Sequence, residues 1–171
     1  RSGLTMPVVT SRFIDHAWRR GCDFIVIDME DSVPRHLKEH ARTLIKDSIP
    51  KVSSGGAEAI VRINHDTMEA DLEAAVWPGL SKIRYPKTEH AEEVRRLDSI
   101  ITRLEYERGI PPGSIEIDPS IETALGAANA RRAGQIHGVD SRRPAAPSGL
   151  SRLAGRQDSA RRGPRTATTF A

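Results

Sequence analysis

Charged and polar residues gather at four places where an apolar run ends. Asp28-Met29-Glu30-Asp31-Ser32 follows Phe24-Ile25-Val26-Ile27, and Arg62-Ile63-Asn64 closes the run that begins Ala59-Ile60-Val61. Pro86-Lys87 follows Lys82-Ile83-Arg84-Tyr85, and Ile121-Glu122-Thr123 comes soon after Ser114-Ile115-Glu116-Ile117. The carboxylates suit a hard, oxygen-seeking cation such as Mg2+, which keeps waters and takes one or two protein carboxylates. A planar guanidinium such as that of Arg62 suits a substrate carboxylate or an enolate oxygen. Each residue alone has an ordinary structural use: Asp28, Glu30 and Asp31 could cap a helix or pair with Lys38, and Arg62 could neutralise one of them. Repetition at successive strand ends gives the group its weight. Lys87-Thr88-Glu89 is the weakest member, since Thr88 is a natural N-cap for the helix that follows.

Parallel strands would bring these clusters together. Phe24-Ile25-Val26-Ile27 is a continuous apolar run, as expected of a strand buried on both faces. Ala59-Ile60-Val61-Arg62-Ile63, Lys82-Ile83-Arg84-Tyr85 and Ser114-Ile115-Glu116-Ile117 read alike, with Leu4-Thr5-Met6 a weaker first strand. Helical spacing lies between them: Phe13, Ile14, Ala17, Trp18; Leu37, Ala41, Leu44, Ile45, Ile49; Leu72, Ala75, Val76; Val94, Leu97, Ile101, Leu104. Strand starts near 23, 59, 82 and 114 are 36, 23 and 32 residues apart, close to the roughly 31 per unit of an eight-fold barrel. The pattern predicts an α/β chain of (β/α) barrel type. An open doubly wound sheet has the same alternation and stays open, although its usual glycine-rich turn after the first strand is here Pro7-Val8-Val9-Thr10.

At 171 residues, 37% hydrophobic and 29% charged, the chain suits one soluble globular domain. No apolar run approaches the roughly 18 to 20 residues that span a bilayer, and Arg1-Ser2-Gly3-Leu4 lacks a secretory layout, so the expected compartment is the cytoplasm. The single cysteine, Cys22, agrees with a reducing compartment and reads as a small apolar filler beside a strand. The net charge of +3 conceals a division. Residues 1–130 carry 17 Lys and Arg against 21 Asp and Glu, whereas residues 131–171 carry 9 Arg, no Lys, and only Asp140 and Asp158. A boundary is therefore expected near Ala130/Arg131, with a disordered Arg/Ala/Gly/Pro-rich tail beyond it. Three readings of that tail compete: an arm for nucleic acid or another polyanion, a plain extension, or the product of a shifted reading frame. The third is favoured, because the change is abrupt and its residues are those of GC-rich codons.

His36-Leu37-Lys38-Glu39-His40 has the H-x-x-E-H spacing of a zinc peptidase. Leu37 starts the apolar stripe, so the two His read as flanking a solvated face. Trp18 and Trp77 read as packing against the sheet, and Ser53-Ser54-Gly55-Gly56 as a plain connection.

Five segments stand in an order that is itself informative: Arg1-Ser2-x-Leu4, Ile27-Asp28-Met29-Glu30-Asp31-Ser32-Val33-Pro34, Val61-Arg62-Ile63-Asn64, Pro86-Lys87-Thr88-Glu89 and Ile121-Glu122-Thr123-Ala124. Through them the chain resembles the HpcH/HpaI aldolase and citrate lyase β-subunit family from Arg1 to about Ala130. The resemblance implies a TIM (β/α)8 barrel with only its first five βα units recognisable. It also implies Mg2+-dependent cleavage or formation of carbon–carbon bonds in acyl-CoA substrates such as citryl-CoA, citramalyl-CoA or malyl-CoA, or in a related hydroxy-oxo acid. It makes Glu122 a metal ligand and substrate contact, Arg62 the cationic clamp on the substrate, and Glu30 and Asp31 holders of water or of the ligands.

Two departures accompany the likeness. Val8 and Thr10 stand where many CoA-using relatives have a Pro-Gly turn followed by Arg. The family's second metal carboxylate, an Asp in a Gly-rich segment, has no counterpart: the corresponding region, near Pro144 to Leu150, reads Pro-Ala-Ala-Pro-Ser-Gly-Leu, and Asp140 comes too early. The expectation is a truncated lyase of impaired activity that forms a homo-oligomer to cover its open edges. The alternative is a non-catalytic interaction protein whose Arg-rich tail binds nucleic acid or another polyanion.

Overall fold

Alternate residues of each strand point to opposite faces, and here one face is apolar while the other mixes charged with uncharged residues. The computed structural model describes residues 1–133. Predictions attached to the Arg-rich segment from residue 134 onward therefore lie outside the described residues. Five strands, β1 (Gly3–Pro7), β2 (Phe24–Asp28), β3 (Glu58–Arg62), β4 (Leu80–Tyr85) and β5 (Glu116–Pro119), form one sheet in that order. Every pairing is parallel. The helices are α1 (Ser11–Ile14), α2 (Lys38–Ser53), α3 (Met68–Ala75), α4 (Ala91–Glu107) and α5 (Ala124–Ala133), one after each strand. A doubly wound sheet reverses its strand order at a switch point. This one does not, so the strands form an arc of a barrel. No described helix is long and apolar enough to cross a membrane.

The outward face packs on the helices. Ile25, Ile27, Ala59, Val61 and Ile83 meet Ala41, Ile45, Ile49 and Val52 of α2, Leu72 and Ala75 of α3, and Leu97, Ile101 and Leu104 of α4, all buried in one core. The concave face is different. One row across it runs Thr5, Val26, Ile60, Lys82, Glu116, and the row nearer the carboxyl ends runs Pro7, Asp28, Arg62, Arg84, Asp118. Neighbours in these rows are ion-paired: Lys82 with Glu116, and Arg84 with Asp118 at 2.7 Å. The arc thus turns ion pairs inward on the β4–β5 side, beside Val26 and Ile60.

Four elements depart from the sequence pattern. The first helix divides into the short α1 and a 3-10 turn over Ala17–Arg20, ended by Gly21 in the left-handed region at φ 63°. Trp18 is 44% exposed and does not pack on the sheet, with Arg19 over its ring. Trp77 packs at the core's margin, with Lys46 at 3.8 Å and Arg108 at 4.1 Å over its ring. The cap of α4 is His90, not Thr88: the Glu93 carboxylate accepts the N–H groups of Glu89 and His90, both at 2.8 Å, while Thr88 is buried with its hydroxyl on the Tyr85 carbonyl. Finally, β5 starts at Glu116 because the buried Glu105 carboxylate takes the N–H groups of Gly113 and Ile115 (2.9 and 3.0 Å), holding that stretch to α4 rather than to β4.

Candidate active site

Where β2 ends, one carboxylate shapes the loop that follows. Asp28 Oδ1 accepts the Glu30 N–H at 2.8 Å, and Oδ2 accepts the Ser32 N–H at 3.1 Å and its hydroxyl. Arg62 is the register partner of Asp28 on β3. It donates Nε to Oδ1 (2.7 Å) and Nη2 to Oδ2 (2.6 Å), a bidentate fork. Asp28 is fully buried. Burial is the largest single influence on it and opposes ionisation, but the hydrogen bonds from Arg62, Ser32 and the Glu30 N–H together outweigh it. They hold the carboxyl below the usual range. The same bond to Asp28 holds the guanidinium of Arg62 above its ordinary value. Lys38 does not pair with the acidic side chains. Its ammonium donates to the carbonyls of Met29, at 2.7 Å, and Glu30, and burial lowers its pKa.

From Arg62 the contacts continue across the strand ends. Nη1 lies 3.2 Å from Glu30 Oε2 and 3.7 Å from Asp31 Oδ2. Glu30 Oε1 accepts from Lys87 Nζ at 2.8 Å, which raises the lysine's pKa, and the main-chain N–H of Lys87 donates to Glu122 Oε1 at 3.0 Å. Arg62, Glu30, Lys87 and Glu122, from the ends of β3, β2, β4 and β5, therefore form one chain of contacts at the carboxyl end of the sheet. Arg62 and Glu122 belong to the same array but do not touch each other in it. Glu30 is 5% exposed and its Oε2 has no hydrogen-bond partner, whereas Asp31 and Glu122 are exposed.

Asn64 serves the frame. Its side-chain amide donates to the Met29 carbonyl (3.0 Å) and to Asp71 (2.7 Å), and its N–H also donates to Asp71 (2.7 Å). Arg42 of α2 donates to the other oxygen of the buried Asp71 at 2.7 Å. Beside it, His65 stacks on Tyr85 at 5.3 Å and meets Glu93 at 3.0 Å, and burial pushes the Tyr85 phenol up to about 12.

The linking role of Lys87, and those of Asp28 and Asp71 as hubs, were not legible from residue type. Lys87 stood at a strand end, but its left-handed backbone, φ 51°, leaves no trace in a lysine. Cys22 is half-buried, 3.8 Å from the Arg20 carbonyl. His36, Glu39 and His40 are exposed, and among the described residues no group of three or more His, Cys, Asp or Glu could hold a metal ion.

Mg2+ needs several oxygen ligands in near-octahedral order. Glu122 offers one carboxylate, and the unpartnered Glu30 Oε2 offers an oxygen whose charge is already balanced by Arg62 and Lys87. The described residues do not by themselves fit the ion. The region where the family's second carboxylate would stand lies outside them.

An arc of parallel strands, each followed by a helix, with polar residues collected at the carboxyl ends, is the plan of the barrel enzymes. The chain belongs to the HpcH/HpaI aldolase/citrate lyase family, whose model matches residues 1–141. It is 41% identical over 133 residues to the citrate lyase subunit beta of Leuconostoc mesenteroides subsp. cremoris, covering 76% of this chain and 44% of that protein. It thus spans less than half the length of this curated relative. Among solved structures it is similar to the protein CitE of Mycobacterium tuberculosis in complex with magnesium and acetoacetate (25% identity, TM-score 0.53), over 74% of this chain and 46% of that one. Malate synthase of Haloferax volcanii shares the fold, with TM-score 0.66 at 18% identity over 83% of this chain and 46% of the other.

Proposed function

We propose that residues 1–133 carry the substrate-oxygen side of a carbon–carbon lyase. Its substrate would be a β-hydroxy acyl-CoA such as citryl-CoA, citramalyl-CoA or malyl-CoA, or a related hydroxy-oxo acid. The observation that supports this most is the contact chain Arg62–Glu30–Lys87–Glu122 along the carboxyl ends of neighbouring strands in a member of this family. In the cleavage direction the β-hydroxyl loses its proton and the bond between Cα and Cβ breaks. The electron pair moves onto the thioester carbonyl as an enolate, and protonation at Cα then leaves an acyl-CoA and an oxo compound. Charge develops on oxygen, and that is where fixed cations lower the barrier.

Arg62 suits that task because Asp28 fixes its plane while leaving N–H groups of a five-donor fork uncommitted. Lys87 adds a second cation, and Glu30 keeps the two apart and in place. Mg2+ as the cofactor belongs to the same proposal, with Glu122 the ligand that the described residues would offer it. On this reading the 171-residue chain turns over well below the ~1 per second of ordinary enzymes, yet still binds an oxo acid. Titration of the labelled chain with oxaloacetate should shift the NMR signals of Arg62, Lys87 and Glu122, and Arg62→Ala should abolish the shifts. Signals at these positions that stay still at saturating ligand overturn the reading, as does full lyase turnover by the chain alone.

A further inference from the structure

Lys87 is the sole residue other than glycine with a positive φ among those described, at 51°. Glycine adopts that region without penalty, whereas a residue with a Cβ is strained there. A lysine held in that conformation at the end of a strand is a cost that something else must offset. Two contacts supply a reason. The turned backbone directs the N–H of residue 87 onto Glu122 Oε1 at 3.0 Å, and the side chain reaches the other way to place its ammonium 2.8 Å from Glu30 Oε1. Any residue except proline supplies the N–H, but only a long cation supplies the second contact.

We infer that Lys87 is a positioning residue, setting Glu122 through its backbone and Glu30 through its side chain, so that the β2 and β5 sides of the site keep one register. The inference rests on the lyase reading for the use of that register, but not for its existence. Glu30 shows why the side chain is needed. Its carboxylate is nine-tenths buried, and only one of its oxygens is hydrogen-bonded, by Lys87. Without Lys87, a buried carboxylate would be left beside Arg62 Nη1 alone, at 3.2 Å and outside hydrogen-bond geometry.

The test uses the full 171-residue chain, with NMR of the residue 87 amide proton and the Glu30 carboxyl carbon. Glu122→Ala should move the Lys87 amide proton upfield, as befits the loss of its hydrogen-bond acceptor. Lys87→Gly keeps the N–H and relieves the strain, so its residue 87 amide should stay downfield while the Glu30 carboxyl carbon shifts. Lys87→Arg should return the Glu30 signal toward its original position, and Lys87→Gln should not. A Lys87 amide unmoved by Glu122→Ala, or a Glu30 carbon indifferent to Lys87→Gln, overturns the inference. None of these readouts depends on turnover or on oxo-acid binding, so failure of the lyase reading would show separately.

Discussion

Arg62 commits two of its nitrogens to Asp28, and this pair separates the role of holding the strands from that of meeting a ligand. Asp28 is fully buried and the Arg62 side chain is 21% exposed, so removing the cation leaves a buried carboxylate with only the Ser32 and Glu30 donors. Arg62→Ala should therefore lower stability by about 3 kcal/mol, measured by urea unfolding. Arg62→Lys should recover only part of this, because an ammonium cannot form the fork. The pH dependence has a definite sign. Asp28 titrates below its unfolded value, so its stabilisation is fully present above the ordinary carboxylate range and is lost as pH falls through the lower, folded value. Asp28→Asn should flatten that acid limb of the unfolding midpoint, and an unchanged limb would place the acid sensitivity elsewhere. Arg62, Glu30, Asp31 and Glu122 were legible as candidates because charge at the end of an apolar run is visible in residue order. That Arg62 could neutralise one of Asp28, Glu30 and Asp31 was also legible and holds, but which of them takes the fork was not, since Asp28 and Arg62 meet 34 positions apart in sequence through a register that no local pattern records.

Elements with strong periodicity stand where their apolar residues place them. The stripe from Leu97 to Leu104 gives α4, and the run from Phe24 to Ile27 gives β2. Patterns failed where one polar side chain overrode them. Ser114-Ile115 reads as strand, yet the Glu105 carboxylate takes the N–H of Ile115 and that of Gly113, so the ladder begins two residues later, at Glu116. Glu105→Ala should strand two donors in or near the core and cost about 2 to 4 kcal/mol. Hydrogen exchange provides the more specific measure: the amides of Gly113 and Ile115 should exchange faster, while those of β2 should change little. Uniform acceleration throughout the sheet would mean that Glu105 holds the whole fold rather than this junction.

At the scale of the molecule, the order β1 to β5 leaves each end strand with a single neighbour among the described residues. Exposed strand edges recruit other strands unless charge or proline blunts them. Both end strands close on a proline, Pro7 and Pro119, but β5 carries Glu116 and Asp118 whereas β1, Gly3-Leu4-Thr5-Met6-Pro7, carries no charge. The 171-residue chain should accordingly self-associate through the β1 side, and Thr5→Lys should shift its mass toward the monomer in light scattering. A mass unaltered by Thr5→Lys would remove β1 from the contact. The concave lining of the arc combines the ion pairs Lys82–Glu116 and Arg84–Asp118 with the buried Val26 and Ile60.

That lining gives closure of the ring an electrical meaning. While the hollow is open, water screens Arg62 and Lys87, and the pull they would exert on a substrate oxygen is faint. Further strands drawn across the gap would expel that water, and the same charges, unmoved, would act through a poorer dielectric and pull several times harder. Completing the wall and energising the chemistry would then be a single event.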